Sequence, residues 1–250
     1  MNKYLMYCHG DILLTKEGNI PSGLEPPVEI QPWNHVTTIH VGDDDCHVYR
    51  LDYPVQDNPH YFMSGLRKSF QVLSPSDYQL AGKGQELLYW DSNSKYCGCC
   101  GAPMKWHTEI SKHCTECGKE VWPQLSIAII VRIVRDDMIL LVHSRSFRSN
   151  YYGLVAGFVE TGETLEEAVR RECREETGIE IKDLEYFGSQ PWPYPCGLMV
   201  GFTARYASGE ICLQTEELGG GDWFRRDNLP QIPDKASIAR QLIDDWLTRL

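Results

Sequence analysis

The second half of the chain contains short apolar runs with the lengths of β-strands. Turn residues bound these runs, for example the RDD sequence at 135–137. A helical pattern covers Thr164–Gly178, in which Gly178 stands where a left-handed C-terminal cap is expected. The predicted strands are SIAIIVRIV (126–134), MILLVHS (138–144), LVAGFVE (154–160), GLMVGFTARY (197–206) and EICLQ (210–214).

The last segment of the chain, Ala236–Leu250, carries apolar side chains at helical spacing. A stripe of this kind most simply packs against a core, so a core-packing helix is predicted to close the domain. The stripe consists of Ile238, Leu242, Ile243, Trp246, Leu247 and Leu250.

The first half of the chain is organised differently. Residues 1–92 contain short apolar or aromatic segments such as YLMYC, VTTIHV and HVYRLDY, separated by turn sequences, and this pattern predicts a small β-rich domain. Residues 93–123 are rich in cysteine and poor in aliphatic residues, so they cannot bury a core of their own. Three domains are therefore predicted, over 1–92, 93–123 and 124–250.

Composition and charge narrow the class of protein. The chain has 250 residues, of which 42% are hydrophobic, as in ordinary globular proteins. A formal net charge of −11 argues against nonspecific binding of nucleic acid, since such binding depends on clustered Lys and Arg. No apolar run approaches the roughly 18 residues needed to cross a bilayer, and the start, MNKYLMYCHGD, lacks the apolar core of a signal peptide. We therefore expect a cytosolic protein with no membrane partner.

The ten cysteines favour metal binding or free buried thiols over disulfides in such a protein. Four of them form two CxxC pairs, Cys97 with Cys100 and Cys114 with Cys117, and a glycine follows each pair. Glycine permits the positive φ that turns backbone N–H groups toward sulfur. Four thiolates from two tight turns suit tetrahedral Zn²⁺ and leave no open position, so the sequence predicts one structural zinc ion per chain in a zinc ribbon.

Two alternatives to this ligand set stay open. The cysteines could form two unrelated pairs of buried thiols. Cys99 could also replace Cys100, although it breaks the two-residue spacing.

The helix Leu165–Thr177 has an inward face that begins apolar and ends in carboxylates, when it is drawn at about 100° per residue. Glu172 and Glu176 fall within the apolar stripe, and Glu175 lies at its edge. Like charges one turn apart repel, so a cation is expected among them. Oxygen ligands suit Mg²⁺ or Mn²⁺, which also bind phosphates, and this points to phosphate chemistry. The alternative is a helix whose glutamates pair with neighbouring arginines.

The segment Gly157–Ile179 resembles the signature of the Nudix hydrolases position by position. That signature is G-x5-E-x7-R-E-U-x-E-E-x-G-U, where U is aliphatic, and Cys173 in place of an aliphatic residue packs as a small hydrophobe. The resemblance implies an α+β fold, the Nudix α/β/α sandwich with a mixed sheet, preceded here by the zinc ribbon and the β-rich N-terminal domain. It also implies metal-dependent hydrolysis of a nucleoside diphosphate derivative.

Two further features resemble the NADH pyrophosphatases within that family. A four-cysteine module precedes the Nudix segment, and SQPWPYP (189–195) follows it where these enzymes have SQPWPFP. The resemblance implies hydrolysis of NADH or NAD⁺ to nicotinamide mononucleotide and AMP, and removal of NAD caps from RNA 5′ ends. It also implies Mg²⁺ or Mn²⁺ at the catalytic site and a homodimer.

The resemblance implies roles for the acidic residues and for the residues that hold them. Glu172, Glu175 and Glu176 match the Mg²⁺ or Mn²⁺ ligands, and Glu176 best matches the residue that assists the attacking water. Glu217 matches a further carboxylate from a later loop, and its neighbour Glu216 is the alternative. The matches with structural duties are Arg171, which pairs with Glu163, and the signature glycines Gly157 and Gly178.

The resemblance also implies substrate-binding positions. Phe158 matches the ring that stacks on a nucleotide base, and Trp122 stands where a tyrosine often completes that sandwich between subunits. Met199 and Ala239 match positions of the substrate pocket, although their apolar identities alone would not indicate it.

The SQPWPYP stretch holds three prolines and two large rings, which no ordinary helix or central strand would tolerate. The prolines fix the backbone before binding, and Gln190 offers a donor and an acceptor, so we interpret the stretch as a preformed substrate-recognition loop. The alternative is that Trp192 and Tyr194 fill the side of the domain. Tyr194 adds a hydroxyl to the phenylalanine of the family, and Gly197 stands where the family has a serine.

Three functions are compatible with these features. The first is an NADH pyrophosphatase that acts on dinucleotides, on NAD-capped RNA, or on both. The second is a Nudix hydrolase of another derivative such as ADP-ribose. The third is a non-catalytic nucleotide sensor or RNA-binding protein. Intact Glu172, Glu175 and Glu176 disfavour it, because a sensor has no need of a metal site whose ligands repel one another.

Overall fold

The computed structural model describes residues 2–42, 44–146 and 150–248. The chain divides into two units, of which the first comprises Met1–Gln124 and Pro193–Cys196. The second comprises Leu125–Trp192 and Gly197–Leu250. The finer division of the sequence at residues 92 and 123 stays a prediction.

A mixed β-sheet forms the body of the first unit. Its described strands have the order β4-β5-β1-β2-β6, with β3 paired to β1, and β1 runs parallel to β5. Alternate side chains of β1 enter two cores, Leu5 and Tyr7 on one face and Tyr4 and Met6 on the other. The predicted β-rich N-terminal region is thereby confirmed. The strands are β1 (Asn2–Cys8), β2 (Asp11–Thr15), β3 (Ser22–Gly23), β4 (His35–Val41), β5 (Asp44–Arg50) and β6 (Tyr61–Gly65).

Two helices that the sequence did not predict follow these strands, α1 (Leu66–Ser69) and α2 (Pro75–Asn93). The side chain of Ser74 accepts a hydrogen bond from the backbone N–H of Asp77 and caps α2, and proline is tolerated in the first turn. Leu87, Leu88 and Trp90 of α2 pack in the same core as Leu5 and Tyr7. The helix escaped prediction because two glycines and several polar residues interrupt its apolar stripe.

The cysteine-rich segment forms a small antiparallel sheet of β7 (Met104–Thr108), β8 (Ser111–Cys114) and β9 (Glu120–Val121). Lys112 of β8 is buried, and its ammonium group donates to the carboxylate of Asp91 (2.8 Å) and to the hydroxyl of Ser94 (3.1 Å) at the end of α2. The same group lies 5.2 and 5.1 Å from the ring centroids of Trp90 and Trp106. One lysine therefore ties the ribbon to the C-terminal end of α2, where a positive charge is favourable.

The second unit is built on a mixed sheet with the order β13-β14-β10-β11-β15, in which β12 also pairs with β10. The strands β10 and β14 run parallel, whereas the other pairs are antiparallel. The described strands are β10 (Ser126–Arg135), β11 (Met138–Ser144), β12 (Val155–Phe158), β13 (Glu180–Trp192), β14 (Gly197–Ser208) and β15 (Leu218–Arg225).

Helices α3 (Leu165–Thr177) and α4 (Ile238–Thr248) cover the two faces of this sheet. Ala168, Val169 and Cys173 of α3 pack with one set of strand residues, and Leu242 and Trp246 of α4 pack with the other. Strand β10 is buried on both faces, as its continuous apolar sequence requires. The predicted α/β/α sandwich with a mixed sheet is therefore confirmed. Leu250 of the predicted stripe lies outside the described residues.

Two predictions about local structure were wrong, and two strands were not predicted. EICLQ (210–214) forms no strand; Cys212 N–H and Gln214 N–H instead bond to carbonyls at the end of α3. The SQPWPYP stretch is not entirely a loop, because its first four residues extend β13. Proline is tolerated there because β13 lies at the edge of the sheet. The strands β13 and β15 were themselves not predicted.

The described helices of residues 2–42, 44–146 and 150–248 include none with the length and apolar character required to cross a bilayer.

Candidate active site and zinc site

Helix α3 is defined at both ends by its own sequence. Thr164 accepts a hydrogen bond from Glu167 N–H, and the Glu167 carboxylate accepts one from Thr164 N–H, which forms a capping box. Gly178 ends the helix in the left-handed conformation with φ +70°. A Cβ at Gly178 would lie 3.0 Å from the carbonyl oxygen of Glu210, so this glycine also permits the following loop to approach. These termini set where α3 begins and ends.

One arginine holds the acidic residues of this region in position. The guanidinium of Arg171 donates to both carboxylate oxygens of Glu163, at 2.6 and 3.0 Å. It also donates to Glu172 (2.8 Å), to Glu175 (3.1 Å) and to the carbonyl oxygen of Phe158 (2.9 Å). A planar guanidinium can make these bonds simultaneously because its donors are fixed in a fork. Arg171 therefore sets the relative positions of α3, the loop before it and the end of β12.

The glutamates Glu172, Glu175 and Glu176 of α3 differ in exposure as the helical wheel predicts. The side chain of Glu175 is 54% exposed, whereas that of Glu172 is 12% exposed and the residue Glu176 is 6% exposed. Oε2 of Glu176 is buried and has no hydrogen-bond partner among the described residues. An unpartnered buried polar atom costs roughly 1–3 kcal/mol, so this oxygen is placed for a partner that completes the site.

The electrostatics of the carboxylates agree with this arrangement. Burial, together with the negative charges of Glu172 and Glu217, raises the pKa of Glu176 to about 8. Burial also raises the pKa of Glu172, although the hydrogen bond from Arg171 opposes that shift. The folded chain thus places these carboxyl groups where water does not fully solvate their charged forms.

A loop attached to the end of α3 brings Glu217 to this cluster. The N–H of Gln214 donates to the carbonyl oxygen of Glu176 (3.0 Å), and the N–H of Glu217 donates back to the carbonyl oxygen of Gln214 (3.2 Å). The negative charge of Glu217 contributes to the raised pKa of both Glu172 and Glu176, so Glu217 lies close enough to act on both carboxyl groups. The choice of Glu217 over Glu216 as a metal ligand stays a prediction.

The donor set of this cluster fits a hard divalent cation. It offers carboxylate oxygens on one helix face, an additional carboxylate from a loop, and one buried oxygen that lacks a partner in the described part of the chain. Mg²⁺ and Mn²⁺ prefer oxygen ligands of this kind. The residues present are therefore compatible with a divalent metal site.

Strand β12 lies directly beside the carboxylate of Glu172. A Cβ at Gly157 would fall on the carboxylate of Glu172, so only glycine leaves room for that side chain. The next residue, Phe158, is 66% exposed. Its side chain is therefore free to offer a ring face to solvent, as a base-stacking residue must.

Gln190 does not offer a free amide. Its side-chain N–H donates to the carbonyl oxygen of Ala236 (2.8 Å), and its side-chain oxygen accepts from Ile238 N–H (2.7 Å). Gln190 thereby holds the start of α4 against β13. It also pairs in register with Met199 of β14, and both Met199 and Ala239 pack against the core beneath α4.

The remaining aromatic residues of the predicted site lie in both units. Trp192 ends β13 in the second unit and is partly buried. Tyr194 belongs to the first unit, where it packs against the core that contains Leu5 and Tyr7. Trp122 also belongs to the first unit and is 49% exposed.

Four cysteine sulfurs lie together in the ribbon, those of Cys97, Cys100, Cys114 and Cys117, all within 4.8 Å of one another. The ten cysteines of the chain, all of them in described segments, are free thiols. Cys99 is not part of the cluster; its sulfur accepts a hydrogen bond from Lys119 (3.4 Å). The four-cysteine set suits tetrahedral Zn²⁺.

Backbone amides prepare these sulfurs for a metal ion. The N–H groups of Cys100 and Cys99 lower the pKa of the Cys97 thiol to about 6. The N–H groups of Cys117 and Glu116 lower the pKa of Cys114 in the same way. The glycines that follow the pairs, at 101 and 118, have φ +77° and +72°, which confirms the predicted left-handed turns.

Comparison with known proteins decides the family. Residues 123–246 match the NUDIX domain. The chain is 41% identical over 211 residues to the NAD-capped RNA hydrolase NudC of Stutzerimonas stutzeri strain A1501, covering 84% of this chain and 76% of that protein. The chain belongs to the Nudix hydrolase family. It is also 45% identical over 194 residues to the NAD-capped RNA hydrolase NudC of Klebsiella pneumoniae strain 342, covering 76% of this chain and 74% of that protein.

A solved structure supports the Nudix fold. The crystal structure of a NUDIX hydrolase from Nitrosomonas europaea resembles this chain with a TM-score of 0.53 at 18% identity. The similarity covers 61% of this chain and 90% of that one, and at this identity it concerns the fold alone.

Sequence reasoning missed two features of the Nudix site. It paired Arg171 with Glu163 only, whereas the guanidinium also contacts Glu172 and Glu175. The spacing of Arg171 and Glu175, four residues apart on a helix, is a sequence signal for such a contact. Adjacent residues such as Arg171 and Glu172 carry no such signal. It also treated Gln190 as free to bind a ligand, and no sequence pattern indicates that α4 begins beside it.

Proposed function

We propose that this Nudix hydrolase cleaves the pyrophosphate bond of NADH and NAD⁺ to give nicotinamide mononucleotide and AMP, and removes NAD caps from RNA 5′ ends. The observation that carries the proposal is the extent of the likeness to the NudC hydrolases, which includes three quarters or more of this chain. The buried carboxylate cluster supports it, because pyrophosphate hydrolysis requires divalent cations beside the phosphates.

The residues that would hold Mg²⁺ or Mn²⁺ are Glu172, Glu175, Glu176 and Glu217. A bound divalent ion supplies neutralisation of phosphate charge and lowers the pKa of water. Arg171 keeps Glu172 and Glu175 in place, so the chain presents its ligands with little reorganisation. Glu163 in turn orients the guanidinium from the opposite side.

Glu176 is the proposed general base. Its Oε2 is the buried oxygen without a described partner, and it can accept the proton of the attacking water. Burial favours the protonated carboxyl, as the raised pKa of about 8 indicates. A positive charge among the glutamates favours the carboxylate and returns Glu176 to the form in which it acts as a base.

Substrate recognition is proposed to depend on rings and apolar side chains. Phe158 and Trp122 each expose a ring surface suited to stacking on a nucleobase. Trp192, Met199 and Ala239 would line the pocket, and Tyr194 would shape the recognition loop. Gln190 would act by positioning α4, since both of its polar groups are engaged with the backbone.

The proposal also includes a structural zinc ion, a homodimer and a cytosolic location. Zn²⁺ bound by four cysteines leaves no open position, so one ion per chain would stabilise the ribbon without taking part in the chemistry. We also propose a homodimer in the cytosol. The exposed ring of Phe158 is consistent with a shared aromatic site, and free thiols are consistent with a reducing compartment.

A side-by-side assay tests the proposal. Purified protein with Mg²⁺ or Mn²⁺ is incubated with NADH, NAD⁺, ADP-ribose and NAD-capped RNA, and the products are separated by chromatography. We expect mononucleotides from NADH and NAD⁺ and a 5′-monophosphate RNA from the capped substrate, at higher kcat/KM than for ADP-ribose. Faster turnover of ADP-ribose than of every NAD-containing substrate would contradict the assignment.

A further inference from the structure

The tip of the SQPWPYP stretch is part of the N-terminal unit. Strands β13 and β14 pair as far as Trp192 and Gly197, so the four residues Pro193–Cys196 form the turn between them. A turn of this length ordinarily packs with its own strands, but these four residues group with residues 1–124. Contacts within the N-terminal unit therefore hold the turn in place.

The first of these contacts joins two hydroxyl groups. The phenolic oxygens of Tyr78, in α2, and Tyr194 are hydrogen-bonded at 2.6 Å. The ring of Tyr78 is supported by an edge contact with Phe70, with centroids 5.2 Å apart. Both tyrosines pack against the core beneath α2. The hydroxyl that distinguishes Tyr194 from the phenylalanine of the family thus has a specific partner.

The second contact lies one helical turn further along α2. A Cβ built at Gly82 would be 3.1 Å from Cγ of Pro193, closer than side-chain carbons normally approach. Tyr78 and Gly82 are four residues apart and therefore share a helix face. Glycine in the middle of a helix is unfavourable compared with alanine, and here its absence of a side chain allows the buried Pro193 to lie on the helix surface.

We propose that α2 anchors the tip of the recognition loop through Tyr78 and Gly82, and that this anchor strengthens dinucleotide binding. The inference rests on the proposed function of the loop in substrate recognition. Tyr78 is a positioning residue, since it acts through Tyr194. An anchored loop loses less conformational freedom when the substrate binds, so the effect belongs in KM and not in kcat. The N-terminal unit thereby gains a role in substrate recognition.

Removal of the hydrogen bond tests the anchor without removal of either ring. Tyr78→Phe and Tyr194→Phe are each expected to raise KM for NADH about five-fold, with kcat changed less than about two-fold. The double variant is expected to match the single variants, because each substitution removes the same bond. Tyr89→Phe is the matched control, since Tyr89 is an exposed tyrosine of the same helix.

Hydrogen exchange supplies a readout that does not depend on activity. Backbone amides of the peptide 189–200 are expected to exchange several-fold faster in Tyr78→Phe and Tyr194→Phe than in wild type or Tyr89→Phe. Gly82→Ala sharpens the test further. Alanine favours the helix but presses on Pro193, so KM should rise while the unfolding temperature of the protein does not fall.

Two results would overturn the proposal. One is unchanged exchange of the 189–200 peptide in both tyrosine variants, and the other is unchanged KM despite faster exchange, as expected if Tyr194 only fills the core. A wild-type protein that leaves every dinucleotide intact would refute the proposed function instead. In that case hydrogen exchange would still decide whether the anchor exists. Calorimetry of NADH binding would decide whether the anchor strengthens binding.

Discussion

The cysteine cluster of the ribbon and the carboxylate cluster of α3 position their ligand atoms by different means. Backbone N–H groups in two tight turns point at Cys97 and Cys114 and lower the pKa of both thiols. Glu172 and Glu175 are instead held by one side chain, Arg171, and Oε2 of Glu176 is left without a partner in the described residues. The first cluster supplies all four ligands of a tetrahedral ion, whereas the second supplies only part of the coordination shell of a hard divalent ion.

The difference distinguishes a structural site from a catalytic one. Four thiolates saturate a tetrahedral ion, so substrate cannot reach it. Carboxylates that occupy only part of a coordination shell leave room for water and phosphate oxygens. Burial makes the charged carboxylates of the second site unfavourable when no cation is bound. The same burial shifts their pKa values, and shifted pKa values are typical of catalytic groups.

The largest expected effect is that of Glu176→Gln. This change removes the proposed base and keeps the shape of the side chain, so kcat for NADH should fall about 10³-fold while the fold stays intact. Steady-state kinetics and circular dichroism measure the two outcomes. Glu180→Gln is the control, because Glu180 pairs with Arg174 at the surface and should retain wild-type kcat. Retained turnover in Glu176→Gln would remove this residue from the mechanism.

Loss of a zinc ligand should affect stability and not chemistry. Cys114→Ser is expected to abolish the bound zinc measured by atomic absorption and to lower the unfolding temperature by roughly 10 °C, while kcat at low temperature stays near wild type. Cys212→Ser, at an exposed cysteine outside the cluster, serves as the control. Full stability of the zinc-free variant would contradict the structural assignment.

The carboxylate cluster should make stability depend on pH when no divalent cation is added. Glu176 keeps its proton to about pH 8 when folded but releases it near pH 4.5 when unfolded. Between these values the folded state binds more protons, so the free energy of unfolding should fall as pH rises, by about 5 kcal/mol across the whole interval. Urea denaturation at several pH values measures this slope. The slope should weaken when Mg²⁺ or Mn²⁺ is added and in Glu176→Gln; an identical slope in the variant would assign it to other groups.

The smallest effect is expected for Arg171→Lys. Lysine keeps the charge but loses the fork that reaches Glu163, Glu172 and Glu175 together. We expect about a ten-fold loss in kcat/KM and a higher Mg²⁺ concentration for half-maximal activity. Arg174→Lys, at an exposed arginine on the same helix, is the matched control. Equal kinetics for wild type and Arg171→Lys would show that positive charge alone organises the cluster.

Most of the second unit was predictable because its signals are local. The apolar runs at 126–134 and 138–144 and the capped helix 165–177 each carry their pattern within one element. Helix α2 and strand β13 were missed for the opposite reason. Glycines at 82 and 84 weaken the helix pattern of α2, and Pro191 weakens the strand pattern of β13. Their conformations depend on Pro193, on the core beneath α2 and on a place at the sheet edge.

The candidate active site was likewise predictable where its signals are local and unpredictable where they depend on distant residues. The spacing of Glu172, Glu175 and Glu176 fixed a shared helix face, since 3.6 residues complete a turn. No spacing indicated that both polar groups of Gln190 bond to the backbone at the start of α4, more than forty residues later.

By itself, the sequence determined the identity and spacing of the metal-binding groups and the termini of the helix that carries the carboxylates. These follow from dihedral geometry and hydrogen bonds between near neighbours. The tertiary structure alone decided which groups are buried, which remain unpartnered, and that Tyr194 bonds to Tyr78, 116 residues earlier in the chain. Burial, pKa and long-range contacts depend on what the rest of the chain places around a residue, and a linear pattern does not contain that information.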